Sequence, residues 1–401
     1  MRARIPDQEG SVERDGVKVA YEVFGSGETT ILLMPAWSVI HSRLWKMQVP
    51  YLARHYRVVT FDGRGNGKSD RPKDPAAYAK EEYVADALAV LDATNTPRAA
   101  VVTLSMSAQW GLLLAANHPE RVAGVVFIAP ALPIAAAHGY RMVYSFDDAL
   151  DTDEGWAKYN RYYWLRDYQS FLEFFFSQVF TEPHSTKQIE DSVGWGLETT
   201  PETLIAIEES PSRKAIYDPS ADTDWVQDSA ARVRCPTLVI HGDHDAISPH
   251  RRGAALAEAT GGTLVTLEGS GHCPQGRDPV KVNVLLNDFM RRIQSAAPQK
   301  INWTRGHSRK KRALYISSPI GLGHAQRDVA IAAELRKLHP DLEIDWLAQN
   351  PVTRVLEAHG EHIHPASAFL SNESSHVESE SAEHDLHVFQ ALRRMDEILI
   401  A

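Results

Sequence analysis

The sequence predicts an α/β protein: a mostly parallel sheet covered by helices, with an inserted helical block and a second, partial β-α-β segment at the end. Three observations carry this. Short apolar runs alternate with helix-like stretches from Gly16 to about Pro130 and again from 231 to 295. The stretch between them, 131–230, is rich in aromatics and shows no strand pattern. After a non-periodic stretch, 296–312, a new strand–helix–strand alternation fills the start of 313–401.

In chain order, strands are expected at Val17–Phe24, Thr30–Met34, Arg57–Asp62, Ala99–Leu104 and Ala123–Ile128, with a helix at Ala108–Asn117 that His118-Pro119 ends. The middle block reads as a helical cap, and most of its aromatics (Tyr159, Tyr162, Tyr163, Trp164, Phe171, Phe174, Phe175, Phe176) read as cap core. The alternation resumes with Thr237–His241, a helix near Arg252–Ala259, a strand Thr263–Leu267 and a helix Pro279–Ile293. Gln294–Arg312 reads as a linker whose basic run, Arg309 to Arg312, is a solvated charge cluster. Beyond it come a strand Ala313–Ser317, a helix from about Ala325 to Leu338 and a strand Glu343–Leu347. The tract Ser371–His387 reads as a loop and Leu386–Leu399 as a closing helix.

Composition bounds the function. With 401 residues, 43% apolar and 23% charged, the chain is globular and long enough for two to three domains. A net charge of −10 argues against a nucleic-acid binder. Two cysteines, Cys235 and Cys273, cannot form a disulfide framework and point to a reducing compartment. The opening MRARIPDQEG has no apolar core, and no apolar run approaches the ~18 residues a membrane span needs. A soluble, cytoplasmic protein is expected.

The chemistry concentrates in VVTLSMSAQWGLLLAANHPERV. A strand that turns sharply into a helix can present a nucleophile at its tip, provided the residues two before, two after and three after it are small. Taking Ser107 as nucleophile puts Gln109 and Trp110 at those places, which is too bulky. Taking Ser105 puts Thr103, Ser107 and Ala108 there, all small, so Ser105 is the candidate. Downstream, LVIHGDHDAISP is a strand followed by acids; Asp245 is the better candidate, with Asp243 shaping the turn. Further on, Gly269-Ser270-Gly271 leads to His272 in a loop before a helix. Each of the three follows a predicted strand, and the order Ser105, Asp245, His272 is that of an acyl-transfer triad. Upstream, the strand ending at Met34 runs into Pro35-Ala36-Trp37, whose Trp37 N–H, with that of Met106, is the candidate oxyanion hole.

Residues Gly16–Ile293 resemble an α/β-hydrolase with a helical cap inserted after the sixth strand. DGRGNGKSD at Asp62–Asp70, TLSMSA at Thr103–Ala108, HGDHD at His241–Asp245 and GSGHCP at Gly269–Pro274 carry the likeness. The chain departs from the pattern at Pro35-Ala36, where His-Gly is common, and at Thr103 and Ser107, where glycines are usual. The resemblance implies a carboxylesterase-like serine hydrolase that needs no metal or cofactor and acts on a small-molecule acyl substrate, apolar or aromatic, through an ester, thioester or lactone bond. Family members with aspartate at the elbow, the haloalkane dehalogenases and epoxide hydrolases, do not fit Ser105; peroxidase-like and carbon–carbon bond hydrolases share the triad. The alternatives are a slow or silent triad on a ligand-binding or regulatory protein, and the hydrolase half of a glycosyltransferase-linked protein that deacylates a glycolipid or glycosylated metabolite.

After the strand Ala313–Ser317 comes SSPIGLGHAQRD. Gln326 stands where a dinucleotide fingerprint needs its third glycine. Gly321-Leu322-Gly323-His324 with Arg327 instead resembles the first β-α unit of the GT-B glycosyltransferases. That resemblance implies a site at His324, which would activate an acceptor hydroxyl. Such an enzyme needs two Rossmann-like domains, so glycosyl transfer by this chain alone is not expected; the segment reads as a truncated fusion, a docking module or part of a longer product. Half of the 18 histidines lie after residue 300, and they read as surface residues rather than metal ligands.

Overall fold

The computed structural model describes residues 4–210, 213, 223–294, 312–317 and 322–369. The chain divides into two compact units, Met1–Pro298 and Gln299–Ala401. Of the predicted linker, Gln294 ends a helix and Arg312 opens a strand, while residues 295–311, Gly321, the tract Ser371–His387 and the helix pattern at Leu386–Leu399 lie outside the described residues.

The first unit is built on an eight-stranded sheet in the order β1-β2-β4-β3-β5-β6-β7-β8. Its strands are β1 (Gln8–Arg14), β2 (Val17–Phe24), β3 (Thr30–Leu33), β4 (Arg57–Phe61), β5 (Ala99–Leu104), β6 (Val122–Ile128), β7 (Thr237–Gly242) and β8 (Thr263–Leu267). The pairs from β4 to β8 are parallel, while β1–β2 and β2–β4 are antiparallel. Every residue of β3, β5 and β7 is buried, as expected where helices cover both faces and the strand reads as one apolar run. β1 is an edge strand with a half-polar sequence, QEGSVER, and the sequence reading that starts at Gly16 passes over it. It forms because Asp15-Gly16 turns with both φ angles positive, 51° and 75°, which suits a two-residue hairpin.

The helices α1 (Lys80–Ala93), α2 (Ser107–Asn117), α3 (Arg161–Arg166), α4 (Tyr168–Val179), α5 (Thr186–Gly196), α6 (Pro201–Glu208), α7 (Asp224–Arg232), α8 (His250–Thr260) and α9 (Pro279–Gln294) follow. α2 is buried nearly all round, and Trp110 from it stacks on Tyr83 of α1 at 3.8 Å between ring centroids. Between β6 and β7 the described residues hold helices and turns and no strand. Trp164, Phe171 and Phe176 are fully buried there, so the aromatic texture is largely core.

The run DGRGNGKSD is a brace rather than a ligand cradle. Asp62 accepts hydrogen bonds from the backbone N–H groups of Ser42 (3.0 Å) and Lys68 (2.9 Å). Arg64, fully buried, forks onto Asp86 with two 2.7 Å bonds. Asn66 donates to the Ser38 carbonyl at 2.6 Å and Ser38 donates to that of Arg64 at 2.9 Å. The turn thereby fixes the loop after β3 that carries Trp37.

The second unit holds a three-stranded parallel sheet in the order β11-β10-β9, from β9 (Arg312–Ile316), β10 (Glu343–Leu347) and β11 (His362–Ile363). Helices α10 (Leu322–Leu338) and α11 (Val352–Ala358) accompany it among the described residues, around Ala325, Ala332, Ile344, Trp346, Val352 and Leu356. Among the described residues no helix is long and apolar enough to cross a membrane.

Candidate active site

Ser105 sits where β5 breaks into α2, in the left-handed region at φ 56°. A non-glycine residue there is strained, and three backbone bonds hold it. Its N–H donates to the Ile128 carbonyl (2.9 Å), and its carbonyl accepts from Ala108 (3.1 Å) and Ala131 (3.0 Å). The two departures from the glycine pattern are accommodated by hydrogen bonds. The Thr103 hydroxyl donates to the Val126 carbonyl at 3.1 Å, and the buried Ser107 hydroxyl sits 2.9 Å from both the N–H and the carbonyl of Leu104. The tight helix–strand approach is met one turn on: a Cβ at Gly111 would lie 2.3 Å from Thr103 Cγ2.

Asp245 follows β7 and His272 follows β8, so all three side chains gather at the C-terminal ends of parallel strands. The loops meet because Gly242 has no side chain; a Cβ there would lie 2.0 Å from the Ser270 carbonyl oxygen. His272 Nε2 is 2.8 Å from Ser105 Oγ, and His272 Nδ1 is 2.8 Å from Asp245 Oδ2. Asp245 Oδ1 accepts from the N–H groups of Ile247 (2.7 Å) and Ser248 (2.9 Å). Burial alone would raise the Asp245 carboxyl. The charge of His272 and hydrogen bonds from His241 and His272 outweigh it and hold the group well below the usual carboxylate range. Asp243 is exposed and accepts from the Gly269 N–H at 2.7 Å, a turn-shaping role.

Met106 and Trp37 are buried, and among the described residues neither backbone N–H has a hydrogen-bond acceptor. Unpaired buried N–H groups are rare and costly. One of them is next to Ser105 and the other is on the braced loop after β3.

The segment between β6 and β7 hydrogen-bonds to the loops that carry Asp245 and His272, which the sequence reading did not show. His138, Tyr140 and Arg141 donate to the carbonyls of Asp245, Ala246 and Ile247, each at 2.8 Å. On the other side, the His272 N–H donates to the Val179 carbonyl (3.1 Å), and Glu182 accepts from the Gly271 N–H (2.7 Å). Trp37 roots the cap aromatics, with Phe175 edge-on at 5.1 Å and Tyr159 stacked at 5.9 Å. Buried Arg213 lies over the Trp37 ring at 5.1 Å, places Nη1 3.6 Å from Met106 Sδ and pairs with buried Glu208 at 2.6 Å. Burial pushes the Glu208 carboxyl up against the pull of Arg213. A cavity of about 570 Å³ is lined by Arg141, Phe146, Trp156, Tyr159, Glu208 and Arg213 among others. Ser105 is not in its wall; Arg213 joins the two. Cys273, buried beside His272, has its thiol pushed up to about 12 by burial.

The sequence pattern of the alpha/beta hydrolase fold matches residues 29–279, more than half of the chain. The chain belongs to the α/β-hydrolase family. It is 27% identical over 257 residues to the 2-hydroxymuconate semialdehyde hydrolase of Pseudomonas sp. (strain CF600), covering 63% of this chain and 83% of that one. It is 24% identical over 292 residues to the Karrikin insensitive 2 receptor IA of Petunia hybrida, covering 70% and 97%. Among solved structures, Est816, described as an N-acyl homoserine lactone degrading enzyme, superposes with a TM-score of 0.56 at 24% identity, over 70% of this chain and all of that one. Homologues in this α/β-hydrolase family are hydrolases, and the chain is read as an enzyme of that kind.

His324 stands exposed in the first turn of α10, with Arg327 Nη2 donating to its Nδ1 at 3.2 Å. The acid near it, Asp328, is turned inward and accepts from Ser317 (2.7 Å) and Tyr315 (3.2 Å).

Proposed function

We propose that the chain is a serine hydrolase that cleaves a carboxylester, thioester or lactone through an acyl-enzyme. The observation that carries this is the continuous hydrogen-bonded series Ser105 Oγ, His272, Asp245, set at a strained turn. His272 Nε2 takes the hydroxyl proton as Oγ attacks the acyl carbon, and later returns it to the leaving group. Asp245 holds Nδ1–H and so fixes the tautomer that leaves Nε2 free to accept. The N–H groups of Met106 and Trp37 stabilise the tetrahedral oxyanion, a contribution of about 3 kcal/mol per donor in hydrolases of this chemistry. Water, activated by the same histidine, then releases the acid. The aromatic surroundings of Trp37 and Tyr159 suit an apolar or aromatic acyl group. The test is turnover of p-nitrophenyl acyl esters by the wild type and Ser105→Ala; equal rates would sink the assignment.

A second reading, a small-ligand receptor whose triad turns over slowly, is favoured by the receptor among the relatives. Tight binding of a small ligand without its cleavage supports that reading. For the second unit we propose a docking role on a GT-B-like β-α-β scaffold, supported by its parallel sheet and exposed His324. Loss of a co-purifying partner on His324→Ala with Arg327→Ala tests it.

A further inference from the structure

We propose that His241, outside the three residues of the relay, is a positioning residue that fixes Asp245 for its work on His272. The inference rests on the serine-hydrolase reading. His241 is fully buried near the end of β7. Its Nε2 lies 3.0 Å from Asp245 Oδ2 and 2.9 Å from the Ser248 carbonyl oxygen. Both neighbours are acceptors, so Nε2 carries the proton and donates to them.

The other ring nitrogen, Nδ1, is buried and has no hydrogen-bond partner. An orphaned polar atom is destabilising, and Leu238, Val239 and Ile240 of the same strand show what fills this sheet without that cost. A histidine here has one edge that earns its place, the donor edge aimed at Asp245. Helix α8 sets the ring from behind: a Cβ at Gly253 would lie 2.4 Å from Nδ1.

With His241 in place, Asp245 Oδ2 receives two N–H bonds and Oδ1 receives two more. Four donors fix the plane of the carboxylate and share its charge. Without the His241 donor the carboxylate is freer to rotate and binds a proton on its neighbour more strongly. The ionisable groups around His241 are Asp245 and, beyond it, His272, with His250 of α8 at 5.4 Å between rings, Asp243 at the strand end, and His138 on the Asp245 carbonyl.

The experiment compares wild type, Ser105→Ala, His241→Leu, His241→Gln and Gly253→Ala in steady-state ester hydrolysis across pH. His241→Leu keeps the volume and removes the donor. It is expected to lower kcat about 10- to 100-fold, the range of a hydrogen bond to a charged group, with KM little changed. It is also expected to move the acid limb of kcat/KM to higher pH. Gln can present an Nε2–H at the same reach, and His241→Gln restores most of kcat and the wild-type limb. Should His241→Leu fail to fold, Gly253→Ala displaces the ring from outside the triad and shows the same signature, since alanine suits the helix better than glycine. Wild-type kcat and limb in His241→Leu or Gly253→Ala, with Ser105→Ala inactive, overturns the positioning role and leaves the hydrolase reading standing. Full activity in Ser105→Ala removes both.

Discussion

Strands β5 and β9 each precede a helix with a chemically suggestive residue at or just before its start, and the two places differ instructively. Ser105 follows β5, a fully buried strand in the middle of eight, and is locked at φ 56°. His324 opens α10 after β9, an edge strand of a three-stranded sheet whose Leu314 and Ile316 are exposed. Neighbouring strands β7 and β8 bring Asp245 and His272 to Ser105. Among the described residues, Arg327 of its own helix is the hydrogen-bond partner of His324, and the nearby acid Asp328 is taken up by Ser317 and Tyr315. A motif becomes a site when several strand ends converge on it, and a short sheet offers few ends to converge.

The contrast can be tested in descending order of effect. Ser105→Ala is expected to lower kcat about 10⁴- to 10⁶-fold, measured with an activated ester. Asp245→Asn removes the acceptor that fixes the His272 tautomer and is expected to cost about 10⁴-fold in the same assay. Its stability also carries a sign. The depressed Asp245 carboxyl stabilises the fold above the ordinary carboxylate value, near pH ~3.9, and that stabilisation is lost as pH falls through the depressed native value. The difference in urea midpoint between wild type and Asp245→Asn should therefore hold steady from pH 8 to 5 and shrink below about pH 4.

Glu182→Ala takes the acceptor from the Gly271 N–H and should cost about tenfold in kcat, with Glu182→Gln milder. Gly111→Val drives a side chain into Thr103 and should destabilise by about 1–3 kcal/mol in urea titration, with Thr103→Ala recovering part of it. At the small end, iodoacetamide should leave Cys273 unmodified at pH 8 in the native protein and label it in denaturant, since burial keeps its thiol protonated.

Much of this arrangement was legible in the sequence because it is local. Small residues at Thr103, Ser107 and Ala108 singled out Ser105 over Ser107, and the order Ser, Asp, His after three strands placed the rest. The bracing of the site was not legible. His138, Tyr140 and Arg141 act on backbone carbonyls, which every residue possesses, so their targets leave no mark in composition. Glu182 and Arg213 reach the site only through the cap's packing, and aromatics read as core gave no hint of an ion pair among them. His241 stood inside a quoted motif, yet its role depends on which ring nitrogen faces Asp245. The edge strand β1 was missed although Asp15-Gly16 carried a hairpin signal, because its half-exposed face lacks a full apolar alternation.

The most direct test of the central claim is covalent labelling with a fluorophosphonate followed by peptide mapping. The account predicts a single adduct on Ser105, loss of ester hydrolysis in step with labelling, and no adduct in His272→Ala on the same timescale. Labelling of Ser107 instead, or full hydrolysis with Ser105 quantitatively modified, would contradict it.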